Sequence, residues 1–302
     1  MRNHPTKIFL ALLVAAALAA SAAADDSRGR SADDLALEDF LLTAEVVSIE
    51  DVGEGITKPK RLTLVKDGVS HRAIYKNVDV KLEGLVKADR VERDFSDKYT
   101  YEVAAYRIDR LVGIGLVPVT VLRVVEGEPG SVQLWIEDVT TLEKAVADPA
   151  AEVENFDLLV ERLTLMYVLD ALILNVDRNY GNVLVNLEED VFHPIDHSRA
   201  FRLSSVPPPA GGSSDIPIPE RVARRLADLD LPTLQAALGE LLEPEQIRAI
   251  VKRRDRLLKQ LEKRGLLPKI TRTASMGATG GVGATPASPA ATPAAPGPAP
   301  GV

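Results

Sequence analysis

The chain has no cysteine in its 302 residues. Disulfides, thiolate metal sites and cysteine nucleophiles are therefore excluded, as is a lipid-bearing cysteine behind an export signal. This absence does not decide the compartment. Histidine is scarce, with four residues in all. Only His193 and His197 lie near other polar motif residues, and they do not pair with carboxylates at zinc-ligand spacing. No Gly-x-Ser-x-Gly elbow occurs, and Ser198 beside His197 is not a hydrolase arrangement. There is no internal repeat.

The two ends differ in composition from the middle. Met1 to Ala24 reads as an export signal: Arg2 and Lys7 precede the apolar run Ile8 to Ala20, and small residues at Ser21 to Ala24 suit cleavage before Asp25-Asp26. An uncleaved anchor is the other reading, but the Ala-rich run is short for a span and only weakly hydrophobic. Residues 25–38 read as a polar linker. Residues 269–302 are rich in Ala, Pro and Gly with almost no charge, too little apolar surface to fold, and serve as either a tether or an inert tail. The net charge is −8; removal of residues 1–24, which hold two basic residues and no acid, makes it −10. Such acidity argues against nonspecific binding of nucleic acid or anionic membranes and mildly disfavours a phosphoinositide substrate. No stable membrane span is expected after cleavage. The remaining middle is long enough for a substantial core.

In the carboxyl half, Asn175-Val176-Asp177-Arg178-Asn179-Tyr180-Gly181-Asn182 leads into a short apolar hairpin, Val183 to Asn186 and Val191 to Ile195, which ends at Asp196. This layout suits metal-dependent phosphoryl transfer. Asp177 can orient a hydroxyl nucleophile, and Asn182 with Asp196 can hold Mg²⁺ (or Mn²⁺), a hard cation that takes oxygen ligands. The segment resembles the catalytic and metal-binding loops of the protein-kinase-like superfamily. It is closest to the atypical branch of phosphoinositide kinases, HipA-like kinases and secretory-pathway kinases of the Golgi casein kinase type. Those lack the His-Arg-Asp and Asp-Phe-Gly spellings of ordinary protein kinases, as does this chain, where Asn175-Val176 precedes Asp177 and His197-Ser198 follows Asp196.

The resemblance implies an α+β, two-lobed fold, with a β-rich amino lobe over 39–138 that carries one key helix and a mainly helical carboxyl lobe over 139–268. The amino half supplies the remaining parts in order. Leu41 to Glu50 is β-prone. Gly53-Glu54-Gly55 would let backbone approach a phosphate. Arg61 to Val65 and Val69 to Tyr75 form a hairpin around Asp67-Gly68. Lys76 ends the second strand, like the phosphate-pairing lysine of kinases. A charged connector precedes a helix from Tyr99 to Val112, in whose first turn Glu102 is the candidate partner of Lys76. Strands follow at Val117 to Val125 and Ser131 to Ile136. Glu137-Asp138-Val139 would be the hinge that meets the base of the nucleotide.

Each residue taken singly also has a plain reading: Gly53 and Gly55 as a turn, Lys76 as a solvated strand end, Glu102 as a dipole-favoured helix start, Asp177, Asn182 and Asp196 as turn residues. Their shared order points to a nucleotide site. Asn155 to Leu174 reads as a buried helix leading into the loop. Asp170 is either structural or bonded to the loop, Arg178 a brace in preference to a phosphate ligand. Arg199 to Ile218 is either an acceptor-binding segment or a connector. Helices follow from Pro219 to Leu229, at Pro232, and from Glu243 to Lys263, with Lys252-Arg253-Arg254 as a solvated basic stretch.

What this implies is an exported, ATP- and Mg-dependent kinase. It is expected outside the cytoplasm, in a periplasm, the extracellular space or a secretory pathway, and acts on a hydroxyl acceptor, protein favoured. An exported pseudokinase that serves as a binding or regulatory module is the alternative; AMP transfer and lipid phosphorylation are lesser ones.

Overall fold

One glycine-assisted turn and two helix caps organise the amino half. In the computed structural model, which describes residues 29–53, 58–86, 91–206 and 216–268, Asp67 and Gly68 both take positive φ (50° and 78°). That pairing is what a two-residue hairpin turn needs. It joins β2 (Lys60–Lys66) to β3 (Val69–Lys76) in the expected register, with Lys66 opposite Val69. Together with β1 (Glu45–Asp51), β6 (Thr120–Val125) and β7 (Glu128–Leu134) they form an antiparallel sheet of order β1-β2-β3-β7-β6. Leu62, Leu64, Ala73 and Tyr75 alternate onto its buried face.

Two elements differ from expectation. Residues 32–43 are helical (α1, Ala32–Thr43), where the sequence suggested the end of a linker and the start of a strand. Ser31 and Asp34 form a reciprocal capping box. The polar side chains of α1 serve as partners for a second helix, α2 (Tyr99–Val112): Arg110 donates to Asp34 at 3.0 Å and Tyr106 to Glu38 at 2.7 Å. The expected charged connector is a two-stranded ribbon, β4 (Asp79–Val86) with β5 (Val91–Lys98).

α2 packs against β6 and β7 and also against helices of the carboxyl half, so it joins the two lobes. Gly113 ends it at φ 77°, and the amides of Gly113 and Ile114 both return to Asp109. The carboxyl lobe holds the short β8 (Thr140–Thr141), α3 (Leu142–Ala147), α4 (Phe156–Ile173), β9 (Val183–Asn186) and β10 (Val191–Pro194). Helices α5 (Glu220–Asp228), α6 (Leu231–Leu238) and α7 (Pro244–Lys263) complete it. Strands β10-β9-β8 make a second small sheet. The fold is thus α+β with a sheet-rich amino lobe and a mainly helical carboxyl lobe. No helix among the described residues is long and apolar enough to cross a membrane. The proposed export signal, linker residues 25–28 and the whole tail, 269–302, lie outside the described residues.

α7 corrects one expectation. Lys252 is exposed, but Arg253 is fully buried. Its guanidinium donates to the carbonyls of Leu172 (2.7 Å), Arg202 (2.9 Å) and Ser204 (2.7 Å), tying the end of α4 to the segment beyond Asp196. Burial pulls its pKa down to about 10, still charged at neutral pH. Arg253→Met would strand these acceptors, at about 1–3 kcal/mol for each one left unmet. A loss of roughly 3 kcal/mol should lower the melting midpoint by about 6–12 °C for a domain this size. An unchanged midpoint would show that the arginine holds nothing.

Candidate active site

A cavity of about 820 Å³ opens between the large sheet and the small one, lined on one side by Ile74, on the other by Leu184 and Ile195, and along the back by Trp135 to Thr140. That volume lies within the ~300–1,000 Å³ of ordinary ligand pockets. Glu137 and Asp138, the expected hinge, line it. The carboxylate of Glu137 is held by Arg72, whose Nε lies 2.7 Å from Oε1 and whose guanidinium lies over the Trp135 ring at 5.2 Å. Asp138 takes φ 54°, and its carbonyl accepts from Asn186 at 3.1 Å. Contacts from Glu137 to a ligand would therefore come from backbone. Gly53 follows Val52, another lining residue, and takes φ 76°; a Cβ there would meet nothing, so conformation alone calls for glycine. Gly55 lies outside the described residues.

Two residues past Ile74 and one past Ile195 lie Lys76 and Asp196, and with Glu102 these three charged side chains from distant parts of the sequence meet. Lys76 Nζ, at the end of β3, donates to Glu102 Oε1 at 2.6 Å and to Asp196 Oδ1 at 3.0 Å. Burial opposes the ammonium charge, but the two carboxylates outweigh it and hold the Lys76 pKa above its ordinary value. Burial also opposes ionisation of Glu102; Lys76 and His197 outweigh it and hold the carboxyl well below the usual range. Glu102 Oε2 accepts from the His197 amide at 2.9 Å.

The expected catalytic loop is fixed from beneath. Asp170, in the last turn of α4, accepts from Arg178 Nε at 2.9 Å, from Arg178 Nη2 at 3.1 Å and from Asn175 Nδ2 at 3.0 Å. Arg178 Nη1 donates to the carbonyls of Asn182 (2.6 Å) and Ile195 (2.7 Å), so one guanidinium fixes the backbone beside both candidate metal ligands. Arg178 Nη2 also lies 3.0 Å from His197 Nε2. Arginine can only donate, so Nε2 accepts and the ring proton sits on Nδ1, which faces Glu102. Arg178 is thus a brace, and Asp170 bonds the loop.

Asp177 stands at the mouth of this loop. Its amide donates to Asn175 Oδ1 at 3.1 Å, its carbonyl accepts from Asn182 Nδ2 at 3.3 Å, and its carboxylate Oδ2 accepts from Arg199 Nη1 at 2.8 Å. The Arg199 guanidinium in turn lies over the Phe95 ring at 5.0 Å. Ser198 Oγ donates to Asp196 Oδ1 at 3.2 Å. Asp97, nearby on β5, has its pKa raised by burial and by Asp196, against a hydrogen bond from Ser198. Arg199 and Asp97 were not legible as site residues, since only the ribbon and the turn after Asp196 bring them here.

Among the described residues of this cluster five carboxylates (Asp97, Glu102, Asp170, Asp177, Asp196) face three cations (Lys76, Arg178, Arg199). The surplus of negative charge suits a divalent cation. Among the described residues no three His, Asp or Glu side chains form a closed metal cage. Mg²⁺ needs none, because it is commonly held by one or two carboxylates together with substrate phosphates. Asp196 and Asn182 fit that pattern.

No protein-family model matches the chain, and no curated protein matches it in sequence. Solved structures do match in fold. The Golgi casein kinase aligns at 15% identity and TM-score 0.54 over 80% of this chain and 76% of its own. A form of the Golgi casein kinase with Mn/ADP bound aligns at 15% identity and TM-score 0.54 over 78% and 77%. The hydra Fam20 structure with sugar aligns at 15% identity and TM-score 0.55 over 78% and 90%. The chain therefore has a protein-kinase-like fold of the atypical kind.

The depressed pKa of Glu102 sets a pH dependence. A carboxyl that ionises more readily in the folded state contributes stability that is present above its unfolded pKa, about 4.3, and is lost as pH falls through the lower folded value. The melting midpoint should fall as pH drops from about 5 to 3. Glu102→Gln should melt lower at neutral pH and show a shallower decline over that window. Parallel declines in the two proteins would exclude Glu102 as a source.

Proposed function

We propose that this chain is an exported atypical kinase that transfers the γ-phosphate of ATP, with Mg²⁺ or Mn²⁺, to a hydroxyl acceptor, protein favoured. The observation that carries the reading is the bridge from Lys76 to both Glu102 and Asp196 beside a nucleotide-sized cavity. A desolvated lysine held charged between two carboxylates is positioned to share its charge with phosphate oxygens. The base of the nucleotide would lie between Ile74 and Leu184, against the backbone of Glu137 and Asp138. Gly53 and Gly55 would cover the phosphates.

Asn182 and Asp196 would hold the divalent cation, whose chemistry is to neutralise charge on the phosphate oxygens. Asp177 would accept the acceptor's hydroxyl proton as that oxygen bonds to the γ-phosphorus. The bond from phosphorus to the bridging oxygen breaks, and its electron pair leaves on ADP. A Golgi casein kinase with this fold has Mn and ADP bound, which supports the choice of nucleotide and metal. Export rests on residues 1–24.

Thermal unfolding with ATP tests the site. Nucleotide at about a hundredfold its dissociation constant should add roughly 2.7 kcal/mol, a midpoint shift of about 5–10 °C. The shift should require Mg²⁺ or Mn²⁺ and be lost in Asp196→Ala. Asp177→Ala should keep the ADP-induced shift while phosphate transfer falls about 10²–10⁴-fold. Mass spectrometry of acceptor proteins reads phosphate or AMP from the mass added. No shift at millimolar ATP, in a chain that melts cooperatively, would favour the exported binding module instead.

A further inference from the structure

We propose that Gln133 sets the base specificity of the cleft: its side-chain oxygen accepts from the exocyclic amino group of a 6-aminopurine and turns away a 6-oxopurine. The assignment rests on the kinase reading above and gives the physical reason for adenine in it.

Gln133 stands in β7, with Ile74 of β3 opposite it on one side and Thr120 of β6 on the other. Residues directly opposite in a sheet share a face. Gln133 therefore lies on the face of Ile74, and both line the cavity. Four residues further on, the same chain reaches Glu137 and the hinge. Among the described residues that line this cavity, Gln133 is the polar one that is buried, at 6% exposure. The polar side chains nearest the hinge are engaged elsewhere: Arg72 with the Glu137 carboxylate, Asn186 with the Asp138 carbonyl.

The direction of the Gln133 amide follows from one proton. Thr120 Oγ1 donates to the Pro118 carbonyl at 2.8 Å. A carbonyl only accepts, so the single hydroxyl proton lies there, and Oγ1 is left to accept from the glutamine. Gln133 accordingly turns Nε2 to Thr120, at 2.8 Å. Oε1 then meets no donor among the described residues, and it is not sealed from solvent. An acceptor held this way in a buried wall favours a ligand that brings a donor and opposes one that brings a second acceptor.

Adenine carries an amino donor at the position where guanine and hypoxanthine carry a carbonyl oxygen. The two kinds of purine have nearly the same outline, so apolar contact with Ile74 and Leu184 does not separate them. A site that hydrogen-bonds a particular group rejects the analogue that lacks it far more strongly than a merely apolar wall does. Thr120 is the positioning residue. It is 1% exposed and does not line the cavity, yet it decides which end of the amide faces the base.

Titration calorimetry of the purified chain with Mn²⁺ tests this without turnover, comparing ADP with inosine diphosphate, whose base has an oxygen in place of the amino group. The wild type should prefer ADP about tenfold or more, with tenfold equal to ~1.4 kcal/mol. Gln133→Met, similar in length but without the amide, should cut that preference about tenfold. Thr120→Val should cut it as well, because the released amide is free to turn its NH2 toward an oxopurine. Thr120→Val leaves every group that meets the base in place, so it decides alone if Gln133→Met does not fold. An ADP preference absent from the wild type, or kept at full size in the folded variants, would overturn the assignment. Failure of the wild-type chain to bind either nucleotide is a different result; it would overturn the kinase reading itself.

Discussion

The structure depends on keeping one lysine charged away from water. Lys76 is held by Glu102 on α2 and by Asp196 beyond β10, segments 26 and 120 residues away in sequence. A buried charge without its partners costs several kcal/mol, so this arrangement constrains more than local geometry. It fixes the rotation of α2 on the sheet, since Glu102 must face β3. It fixes the approach of the two lobes, since Asp196 belongs to one and Lys76 to the other. The rest of α2 serves the same end: Tyr106 and Arg110 take up carboxylates of α1, and Gly113 turns the chain away.

Compensation then passes from group to group. Glu102 accepts the His197 amide; the His197 ring meets Arg178; Arg178 closes on Asp170 with two bonds and on two carbonyls with a third nitrogen. Along this line exposure separates two kinds of residue. Glu102 and Asp170 are 2% and 5% exposed at the side chain, Asp196 and Asp177 40% and 39%. The buried carboxylates hold, and the open ones are left to meet a ligand. Both kinds are needed, since an exposed aspartate with no fixed neighbour would lack a defined direction.

The sequence carried whatever rests on local rules. Asp67-Gly68 specified a hairpin because both positions need positive φ, and the hairpin places Lys76. The spacing from Asp177 through Asn182 to Asp196 survived because a four-residue β9 and a four-residue β10 leave little freedom of register. What was illegible depends on tertiary partners. Asp34 and Glu38 read as linker polarity until Arg110 and Tyr106 pair with them. Arg253 reads as a solvated residue in a basic run, because only the stranded carbonyls of Leu172, Arg202 and Ser204 make a cationic core residue favourable. The β4–β5 ribbon alternates too many charges with its apolar residues to show a buried face, so the places of Phe95 and Asp97 beside the site were hidden with it.

The segment after Asp196 bears on regulation. In ordinary protein kinases a phenylalanine directly follows this aspartate and can repack. Here the next residue is His197, fully buried between Glu102 and Arg178. The aromatic residue comes five positions after Asp196: Phe201, whose amide donates to Ile173 at 2.7 Å and whose ring meets Tyr101 edge-on at 5.3 Å. Its carbonyl is taken by Gln246, and the next turn is clamped by Arg253. To swing Asp196 out of the cleft would strip Glu102 and Arg178 of a shared partner and pull Phe201 from the core. Each of those losses is of the size that buried polar or packed groups exact, about 1–3 kcal/mol or more. Control by reversal of this segment is therefore costly in this chain.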